Sequence, residues 1–273
     1  MSKGPRELVG HGEWIYGRNP VEECLAAGRR TCTEVILPAV DKPDDQHQRI
    51  HDECAARHIM IRHMDRNQLD KLTHFGHHQG FALKTTGYPY VGFEDILRDC
   101  QESGEDRPQL ESGYSCPRPQ GKDPIVLILD HLEDPQNVGA ILRTACAVGV
   151  TGVVIAEDRA CGITPAAVRA SAGGTEYLKI AHVVNLPRAI EDLKDAGLWF
   201  TGLDWGNDSK PYTEIDFKGP TGIVVGAEGS GISRLVREKC DFIAHLPMPG
   251  GFESLNAATA TSVTLYEVLR QRA

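Results

Sequence analysis

Three segments of the chain combine glycine with polar side chains of the kinds that bind or activate ligands. The first is DHLEDPQNVGAILRTA, residues 130–145. Its Pro135 fixes a turn, Asn137 is placed to cap a helix, and Gly139 permits another backbone to pack closely. Arg143 lies about one and a half turns into that helix, and its long side chain could reach back towards the loop. The alternative interpretation is that Asn137 only caps the helix and Arg143 only covers the surface.

The second segment is VVGAEGSGISRL, residues 224–235, and its glycines follow the order G-x-x-G-x-G. Dinucleotide-binding proteins carry G-x-G-x-x-G with an acidic residue further along, so this order does not match theirs. Glu228 lies among the glycines and would repel a phosphate at close range. The segment therefore favours a ligand with hydroxyl groups, an amine or a positive centre. The alternative is a glycine-rich turn that leads into a helix.

The third segment is GGFESLNAATATSVTLYEVL, residues 250–269, in which Ser254 and Asn256 lie where a helix is expected to start. Either side chain could cap that helix or bind a ligand. The six residues that follow are all small: Ala257, Ala258, Thr259, Ala260, Thr261 and Ser262. They would let another segment of backbone pass very close. The alternative is a tightly packed terminal helix without a further role.

The elements around these segments predict how the segments come together. The apolar run PIVLILD, which ends at Asp130, is typical of a strand that is buried on both faces of its sheet. From there to the end of the chain, strands alternate with helices, two of which have N-cap signals at Thr164 and Asn185. This alternation predicts a parallel sheet that is covered on both faces. Ligands collect at the carboxyl ends of such strands, where loops meet helix N-termini.

The rest of the chain divides by composition. After a tail at residues 1–12, helix and strand patterns alternate through residues 13–88 and predict a small α/β domain. Residues 89–122 are predicted to form a linker, because most of this range is rich in Pro, Gly, Ser and charge and lacks hydrophobic periodicity. Within that range GFEDILRDC could form a short helix. Residues 123–273 are predicted to form the larger second domain.

Overall composition excludes several classes of protein. With 41% hydrophobic and 25% charged residues, the 273-residue chain is typical of a globular protein. No apolar run approaches the length of a membrane span, and the N-terminus lacks a hydrophobic signal region. These features favour the cytoplasm, or an organelle whose targeting segment is absent from this chain. The net charge of −9 argues against nucleic-acid binding by bulk electrostatics alone but leaves room for a local basic patch.

The cysteine and histidine pattern predicts neither disulfides nor a metal site. The eight cysteines are scattered, so reduced thiols are expected. The segment HQRIHDECAARH carries His47, His51, Cys54 and His58 at spacings that a helix could bring together. A zinc site would need further ligands elsewhere to complete a tetrahedron, and no second cluster is present. An exposed polar helix face is therefore the preferred interpretation of this segment.

Taken together, the three polar segments resemble the three signature motifs of the SpoU-type RNA ribose 2′-O-methyltransferases of the SPOUT superfamily. The resemblance lies in DPQNVGAILRTACAVGV, VVGAEGSGISRLVREKCD and LPMPGGFESLNAATATSVTLYE, which occur in the order and spacing of that family. The segments IYGRNPVEECLAAG and HHQGFAL resemble the substrate-binding domain of its 23S rRNA guanosine methyltransferase branch. The resemblance implies a C-terminal parallel-sheet SPOUT domain with a deep trefoil knot, preceded by a small α/β substrate-binding domain. It also implies a homodimer formed through the knotted domain.

The resemblance implies S-adenosylmethionine-dependent methyl transfer to a ribose 2′-hydroxyl, with a guanosine of large-subunit rRNA as the expected target. The implied catalytic residues are Arg143, Asn137, Glu228, Ser254 and Asn256. The implied cofactor-binding residues are Gly226, Ala227, Leu246, Met248 and Leu255. The expected RNA-binding residues are Arg18, Asn19, Arg29, Arg30, His78 and Gln79. Because a guanidinium stays protonated in proteins, Arg143 is expected to position the ribose and to favour ionisation of its hydroxyl by electrostatics.

Three alternatives remain open at the level of sequence. The same chemistry could act on tRNA, or the chain could be a catalytically silent RNA-binding or ribosome-assembly factor with this fold. The retention of all five implied catalytic residues counts against the silent factor. A nicotinamide dehydrogenase is disfavoured by the order of the glycines. One departure concerns Ala257-Ala258-Thr259-Ala260, where the family usually has Val-Ser-Val-Ala, so that a hydroxyl has moved by one position.

Overall fold

The N-terminal part of the protein is built on a small mixed sheet. A computed structural model describes residues 12–40, 42–102, 123–251 and 254–273. The strands of the first sheet are β1 (Glu13–Tyr16), β2 (Cys32–Leu37), β3 (Met60–His63) and β4 (Ala82–Thr85), and the helices are α1 (Arg18–Ala27), α2 (Asp45–Ala56) and α3 (Arg66–Leu72). The order is β1-β4-β2-β3, with β4 antiparallel to both neighbours and β2 parallel to β3. The helices and strands expected in this region are confirmed.

The C-terminal part is built on a seven-stranded parallel sheet. Its strands are β5 (Ile125–Asp130), β6 (Gly152–Ala156), β7 (Ile180–Val183), β8 (Trp199–Leu203), β9 (Lys210–Pro211), β10 (Thr221–Gly226) and β11 (Phe242–His245). They lie in the order β7-β6-β5-β10-β8-β11-β9, and each neighbouring pair is parallel. The order changes direction at β5, since β6 and β7 lie on one side of it and β10 on the other. Such a switch point creates a crevice at the carboxyl ends of the strands, where ligands bind.

Helices cover both faces of this sheet, as the unbroken apolar strands predict. They are α4 (Phe93–Gln101), α5 (Pro135–Val148), α6 (Pro165–Ala170), α7 (Leu186–Asp195), α8 (Arg234–Arg237) and α9 (Ala257–Gln271). On β5, Leu127 and Leu129 join the core formed with α5, α6 and α9. Val126 and Ile128 join the opposite core, formed with α4, α7 and α8. This alternation follows from the two-residue period of a strand.

The first part of the predicted linker is ordered and packs on the seven-stranded sheet of the C-terminal part. Ile96 of α4 packs so closely on β6 that a side chain at Gly152 would meet it at 2.6 Å. Ahead of α4, Val91 N donates to Ile180 O at 3.0 Å, and Tyr90 Oη accepts from Ile163 N at 2.7 Å. The prediction of a linker is therefore wrong for residues 89–101, whose apolar side chains have a sheet to cover. Residues 103–122 lie outside the described ranges.

The terminal helix α9 uses its small residues to approach α5. Thr261 and Thr264 are fully buried, and Ser262 Oγ lies 2.8 Å from Thr144 Oγ1 of α5. Each of these three α9 hydroxyls also donates to the carbonyl four residues earlier in the helix. Their hydrogen bonds are thus satisfied inside a close helix contact. The backbone that passes close to this segment is α5 of the same chain.

Two further sequence predictions concern cysteines and metals. Within the described ranges, the free thiols include Cys24, Cys32, Cys54, Cys161 and Cys240. The interpretation of the histidine-rich segment as an exposed polar face is wrong for His47 and Cys54, which α2 buries together with Ile50. The His47 ring instead packs edge-on against Phe81, with 5.5 Å between ring centroids. In the part of the chain that the structure describes, no three His, Cys, Asp or Glu side chains come together as a metal site would require.

No helix within the described residues has both the length and the apolar character of a membrane span.

Candidate functional site

The three polar segments meet through one hydrogen-bonded triad. Asn137 Nδ2 donates to Glu228 Oε1 at 2.8 Å, and Asn256 Nδ2 lies 2.9 Å from the same oxygen. Asn256 Nδ2 also lies 2.7 Å from Asn137 Oδ1. Since these residues are separated by 91 and 28 positions in sequence, only the fold brings them together. We refer to Asn137, Glu228 and Asn256 as the polar triad.

Helix capping explains why both asparagines are available to the triad. Asp134, not Asn137, caps α5, since its two carboxylate oxygens accept from Gln136 N and Asn137 N at 3.1 and 3.2 Å. The prediction that Asn137 caps this helix is therefore wrong, and its amide is free to face Glu228. Asn256 does cap α9, because its Oδ1 accepts from the backbone amides of the next turn, while its Nδ2 reaches the triad.

The glycines of the second segment place Glu228 at the tip of a tight turn. Ala227 and Gly231 form an isolated antiparallel bridge after β10 ends. A side chain at Gly226 would lie only 2.2 Å from the carbonyl carbon of Gly231, so the turn requires glycine there. Gly231 itself has φ of 66°, in the left-handed region that glycine adopts without strain. The G-x-x-G-x-G order thus builds a turn that carries a carboxylate.

A cavity of about 550 Å³ opens beside the polar triad, at the carboxyl ends of β5 and β10. The residues that line it are Asp130, His131, Leu132, Glu133, Asp134, Asn137, Arg159, Ala227, Glu228, Ser230, Gly231 and Ser233. Asp130 and Gly226 are paired in the register of these strands. This is the switch point of the sheet. The volume lies in the range of small-molecule and nucleoside sites.

One side of the cavity carries a histidine held by a buried carboxylate. Asp130, which is 1% exposed, accepts from Ser233 N at 2.6 Å through Oδ2. Its other oxygen lies 2.5 Å from His131 Nδ1. Sequence reasoning missed His131, although a histidine directly after the last residue of a buried strand was a visible signal.

The predicted cofactor residues lie at neighbouring strand ends. Gly226 is the last residue of β10 and Ala227 follows it, and Leu246 follows β11. The strand between them is β8, which is followed by Asp204 and Trp205. Trp205 is 60% exposed, and its ring lies 4.1 Å from the His245 ring in an edge-on arrangement. Sequence reasoning missed these residues because it could not place β8 between β10 and β11.

Other predicted residues are not among those that line the cavity. Arg143 is exposed on α5, six residues or about 9 Å along the helix from Asn137, next to the backbone of Gly174. Its expected role in the site stays a prediction. Ser254 and Leu255 are exposed in the segment before α9, and Met248 is half-buried in a turn in which its carbonyl accepts from Gly251 N.

Two arginines predicted to bind RNA instead join the two parts of the chain. The Arg30 side chain is fully buried and binds Glu176 through two parallel bonds of 2.7 and 2.9 Å, with a further ion pair to Glu13. Arg29 donates to the carbonyl oxygens of Glu176 and Leu178 at 3.0 and 2.7 Å. The assignment of both to RNA is therefore wrong, because their donors are already used within the protein.

The histidine of the HHQG turn is also structural. His78 is 7% exposed, with Nε2 2.9 Å from Asp70 Oδ1 and Nδ1 accepting from Gly80 N. Its buried ring fixes the turn and is not accessible to RNA, so the prediction that His78 binds RNA is also wrong. Gln79 is exposed and accepts from Arg18 N at 3.2 Å, and the exposed Asn19 follows in α1. Arg18, Asn19 and Gln79 therefore share one surface.

Comparison with known proteins gives the chain its family. A model described as the SpoU rRNA methylase family matches residues 124–266, and one described as RNA 2′-O ribose methyltransferase substrate binding matches residues 14–91. YacO of Bacillus subtilis, named as a TrmH-family tRNA/rRNA methyltransferase, is 35% identical over 95% of this chain and 96% of its own. An uncharacterized tRNA/rRNA methyltransferase of Mycolicibacterium gilvum is 38% identical over 100% of this chain and 81% of its own.

Solved structures share the fold at lower identity. AviRb of Streptomyces viridochromogenes, a SpoU methyltransferase in complex with S-adenosylmethionine, has a TM-score of 0.73 at 22% identity and covers 98% of this chain and 94% of its own. An S-adenosylmethionine-bound rRNA methyltransferase of Sinorhizobium meliloti has a TM-score of 0.73 at 21% identity. It covers 96% of this chain and 88% of its own. The predicted fold class is confirmed, with the knot remaining a prediction.

The fold and the matched families define an enzyme that methylates RNA at ribose 2′-hydroxyls. The chain belongs to the SpoU rRNA methylase family. S-adenosylmethionine is the methyl donor of that family.

Proposed function

We propose that this enzyme transfers a methyl group from S-adenosylmethionine to the ribose 2′-hydroxyl of a guanosine in large-subunit rRNA. The observation that carries the proposal is the polar triad, since three segments distant in sequence converge on one carboxylate beside a nucleoside-sized cavity. The match of residues 14–91 to a substrate-binding family supports an RNA substrate. We place the activity of this enzyme in the cytoplasm, by analogy with the bacterial relatives of the chain.

The residues at the ends of β10, β8 and β11 fit S-adenosylmethionine. This ligand has a purine ring, ribose hydroxyls and a sulfonium cation. The exposed ring of Trp205 offers a face for stacking a purine, and the carboxylates of Asp204 and Glu228 suit hydroxyls and positive charge better than phosphate. Gly226 and Leu246, on either side of β8, would hold the cofactor through their backbone, with Ala227, Met248 and Leu255 as neighbours.

The polar triad would orient the target nucleoside. Its amide groups offer hydrogen bonds to ribose hydroxyls and to the base, and Glu228 fixes both amides in position. Ser254, two residues before Asn256, would contact the same ribose. Arg143, which lies outside the cavity, would bind the RNA backbone and hold the nucleotide in line with the methyl group. On the N-terminal part, Arg18, Asn19 and Gln79 would contact RNA through their shared surface.

The test is transfer of a labelled methyl group to unmodified large-subunit rRNA transcripts and, in parallel, to unmodified tRNA transcripts. Mapping of the 2′-O-methyl mark should identify a single guanosine in the rRNA. The Asn256→Ala variant should lower the rate by about 10²-fold, because misplacement of a substrate by about 1 Å has such an effect. A mark found only on tRNA would overturn the rRNA assignment. Binding of both RNAs without methyl transfer would overturn the catalytic one.

A further inference from the structure

The charges that line the cavity restrict how a nucleotide can enter it. Among the described lining residues, Asp130, Glu133, Asp134 and Glu228 are carboxylates and Arg159 is a guanidinium. A nucleotide within RNA carries a phosphate on each side of its ribose, so a ribose in the cavity brings two negative charges to the rim. Like charges repel more strongly where water is excluded. The cavity therefore admits a nucleotide only if its phosphates avoid the carboxylates or meet the guanidinium.

Three of the carboxylates are held in place, whereas the guanidinium is free. Asp130 accepts from Ser233 N at 2.6 Å, Asp134 caps α5, and Glu228 Oε1 lies within 2.9 Å of two amide groups. These bonds keep the carboxylates from turning away from an incoming phosphate. Within the part of the chain that the structure describes, Arg159 has no ion pair and no side-chain hydrogen bond. Its donors are therefore available to an anion from outside the protein.

Arg159 lies on a loop that is anchored on both sides of it. The loop follows β6, and Glu157 N donates to Val183 O at 2.9 Å. Two residues after Arg159, Cys161 N donates to Leu132 O at 2.7 Å, and Leu132 itself lines the cavity. The backbone of Arg159 is thereby fixed relative to the cavity, while its side chain is exposed at the rim.

The backbone of Arg159 is also strained. Its φ is 51°, in the left-handed region that is unfavourable for a residue with a Cβ atom. Strain of this kind persists only where the surrounding structure imposes it, and it is frequent where proteins hold ligands. Here the anchored loop imposes it, and the strained residue is the one cation among the described residues that line the cavity.

We infer that Arg159 binds a phosphate next to the target ribose and so sets the direction in which the nucleotide enters the cavity. A guanidinium is planar, and its paired N–H donors match two phosphate oxygens. The phosphate lies on the β6 side of the cavity, and the ribose points towards the polar triad, on the β10 side of β5. The inference rests on the proposed function, and it names a group that holds the RNA substrate.

Strand order separates Arg159 from the other anion of the reaction. S-adenosylmethionine carries a carboxylate, but the residues that fit this cofactor lie at the ends of β10, β8 and β11. In the order β6-β5-β10-β8-β11, β5 lies between the strand before Arg159 and the first of these. Neighbouring strands are about 4.8 Å apart, so β6 lies about 10 Å from β10. Arg159 is therefore placed to meet the RNA and not the cofactor.

The decisive variant is Arg159→Asn, since asparagine tolerates the left-handed backbone and has no charge. The probe is a synthetic RNA fragment centred on the nucleotide that the methyl-transfer assay maps, and fluorescence anisotropy measures its Kd. At low salt the Kd should rise by about 10- to 100-fold, as expected for loss of a hydrogen bond between charged groups. The slope of log Kd against log salt concentration should fall by about 1.

Two further variants and the cofactor provide the controls. Arg159→Lys keeps the charge without the paired donors, so it should keep the wild-type salt slope with a smaller rise in Kd. Arg188→Asn removes another exposed arginine, which pairs with Asp192 at 3.0 Å on α7, on the opposite face of the sheet from α5. It should keep the wild-type Kd and slope. Calorimetry with S-adenosylmethionine should give the same Kd for wild type and Arg159→Asn.

A change in the RNA identifies the phosphate. Two fragments carry a neutral methylphosphonate in place of the phosphate on the 5′ or the 3′ side of the mapped nucleotide. Each is compared with a fragment that has the same sugars and an ordinary phosphate. One of the two replacements should weaken binding to wild type as much as Arg159→Asn does, and it should have little further effect on that variant. Such non-additivity indicates a direct contact.

Each outcome bears on one proposal or on both. If wild type transfers methyl groups and Arg159→Asn keeps the wild-type Kd and salt slope, the inference is wrong while the proposed function stands. Additive effects of Arg159→Asn and both methylphosphonates would also contradict it. An equal loss of cofactor affinity would assign Arg159 to the cofactor carboxylate instead. If wild type transfers no methyl group to either RNA, the proposed function fails, and the inference fails with it.

Discussion

At the scale of single residues, one oxygen of Glu228 controls the arrangement of three loops. Asn137 and Asn256 both place Nδ2 within 2.9 Å of Oε1, and Asn256 also meets Asn137 directly. These bonds explain why a glycine-rich turn carries a carboxylate, which would be unsuited to a phosphate. Thr259, where the hydroxyl departs from the family pattern, contributes its backbone amide to the Asn256 cap, and its side chain is exposed. The departure therefore leaves the cap unaffected.

Trp205 gives a test of the cofactor position. If its exposed ring stacks on the adenine of S-adenosylmethionine, Trp205→Ala should weaken cofactor binding about tenfold, as expected for loss of one stacked ring. Isothermal titration calorimetry measures the change in Kd. Trp199 is the matched control, because it is also 60% exposed and lies at the opposite end of β8, against Phe242. Equal losses in Trp205→Ala and Trp199→Ala, or no loss in either, would contradict the assigned position.

At the scale of elements, close packing around α5 determines where the polar triad lies. A side chain at Gly139 would meet Ala170 Cβ at 2.4 Å and Ala167 O at 2.5 Å, so α5 and α6 are in backbone contact. On another side of the helix, Thr144 meets Ser262 of α9. The N-terminus of α5 is thereby held beside the N-terminus of α9, which is what lets Asn137 and Asn256 meet. The prediction that another backbone packs closely on Gly139 is confirmed.

The buried ion pair between the two parts of the chain gives a stability prediction. Burial by itself lowers the pKa of the Arg30 guanidinium, but the Glu176 and Glu13 carboxylates outweigh burial and hold this pKa above its usual value. Glu176→Gln removes the main partner of a fully buried cation, and it should lower the free energy of unfolding by about 3–5 kcal/mol. Urea unfolding followed by circular dichroism measures this loss.

The control for the ion pair is Glu238→Gln, which breaks the exposed pair with Arg234. Exposed pairs contribute at most about 1 kcal/mol, so this variant should unfold close to wild type. An equal decrease in the free energy of unfolding of the two variants would contradict the buried ion pair between Arg30 and Glu176. The original assignment of Arg30 to RNA would then have to be considered again.

At the scale of the whole molecule, α9 has an exposed stripe opposite the face that packs on α5, with the apolar Val263 and Tyr266 at its centre. Thr259, Val263, Tyr266 and Arg270 follow each other at helical spacing and are all exposed, with Tyr266 at 57%. The homodimer through the knotted domain remains a prediction, and this stripe is its candidate contact. The small residues that first suggested a dimer contact are instead used within the chain, between α9 and α5.

Light scattering tests the dimer. Wild type should have twice the mass of one chain, and Tyr266→Glu should have the mass of a single chain, because a charge would be buried in the contact. Val184→Glu is the control, since Val184 is 83% exposed and lies after β7, away from α9. It should remain a dimer. A monomeric wild type, or a dimer that tolerates Tyr266→Glu, would contradict this contact.

The amino-acid sequence by itself determined the elements and the three polar segments. Apolar runs such as that of β5 and caps such as Thr164 and Asn185 are local signals, because hydrogen bonds and side-chain periodicity act within a few residues. The resemblance of these segments to the family motifs predicted Asn137, Glu228 and Asn256 as site residues. Local signals could not tell that Asp134 caps α5, since aspartate and asparagine are equally good caps.

Only the tertiary structure decided which residues face each other. Strand order placed β8 between β10 and β11, and so brought Trp205 to the predicted cofactor site. Burial converted Arg29, Arg30 and His78 from expected RNA contacts into internal bonds, because a charged side chain looks the same in sequence whether its partner is RNA or Glu176. Contacts of this kind depend on the packing of distant segments, which the pattern along one segment does not contain.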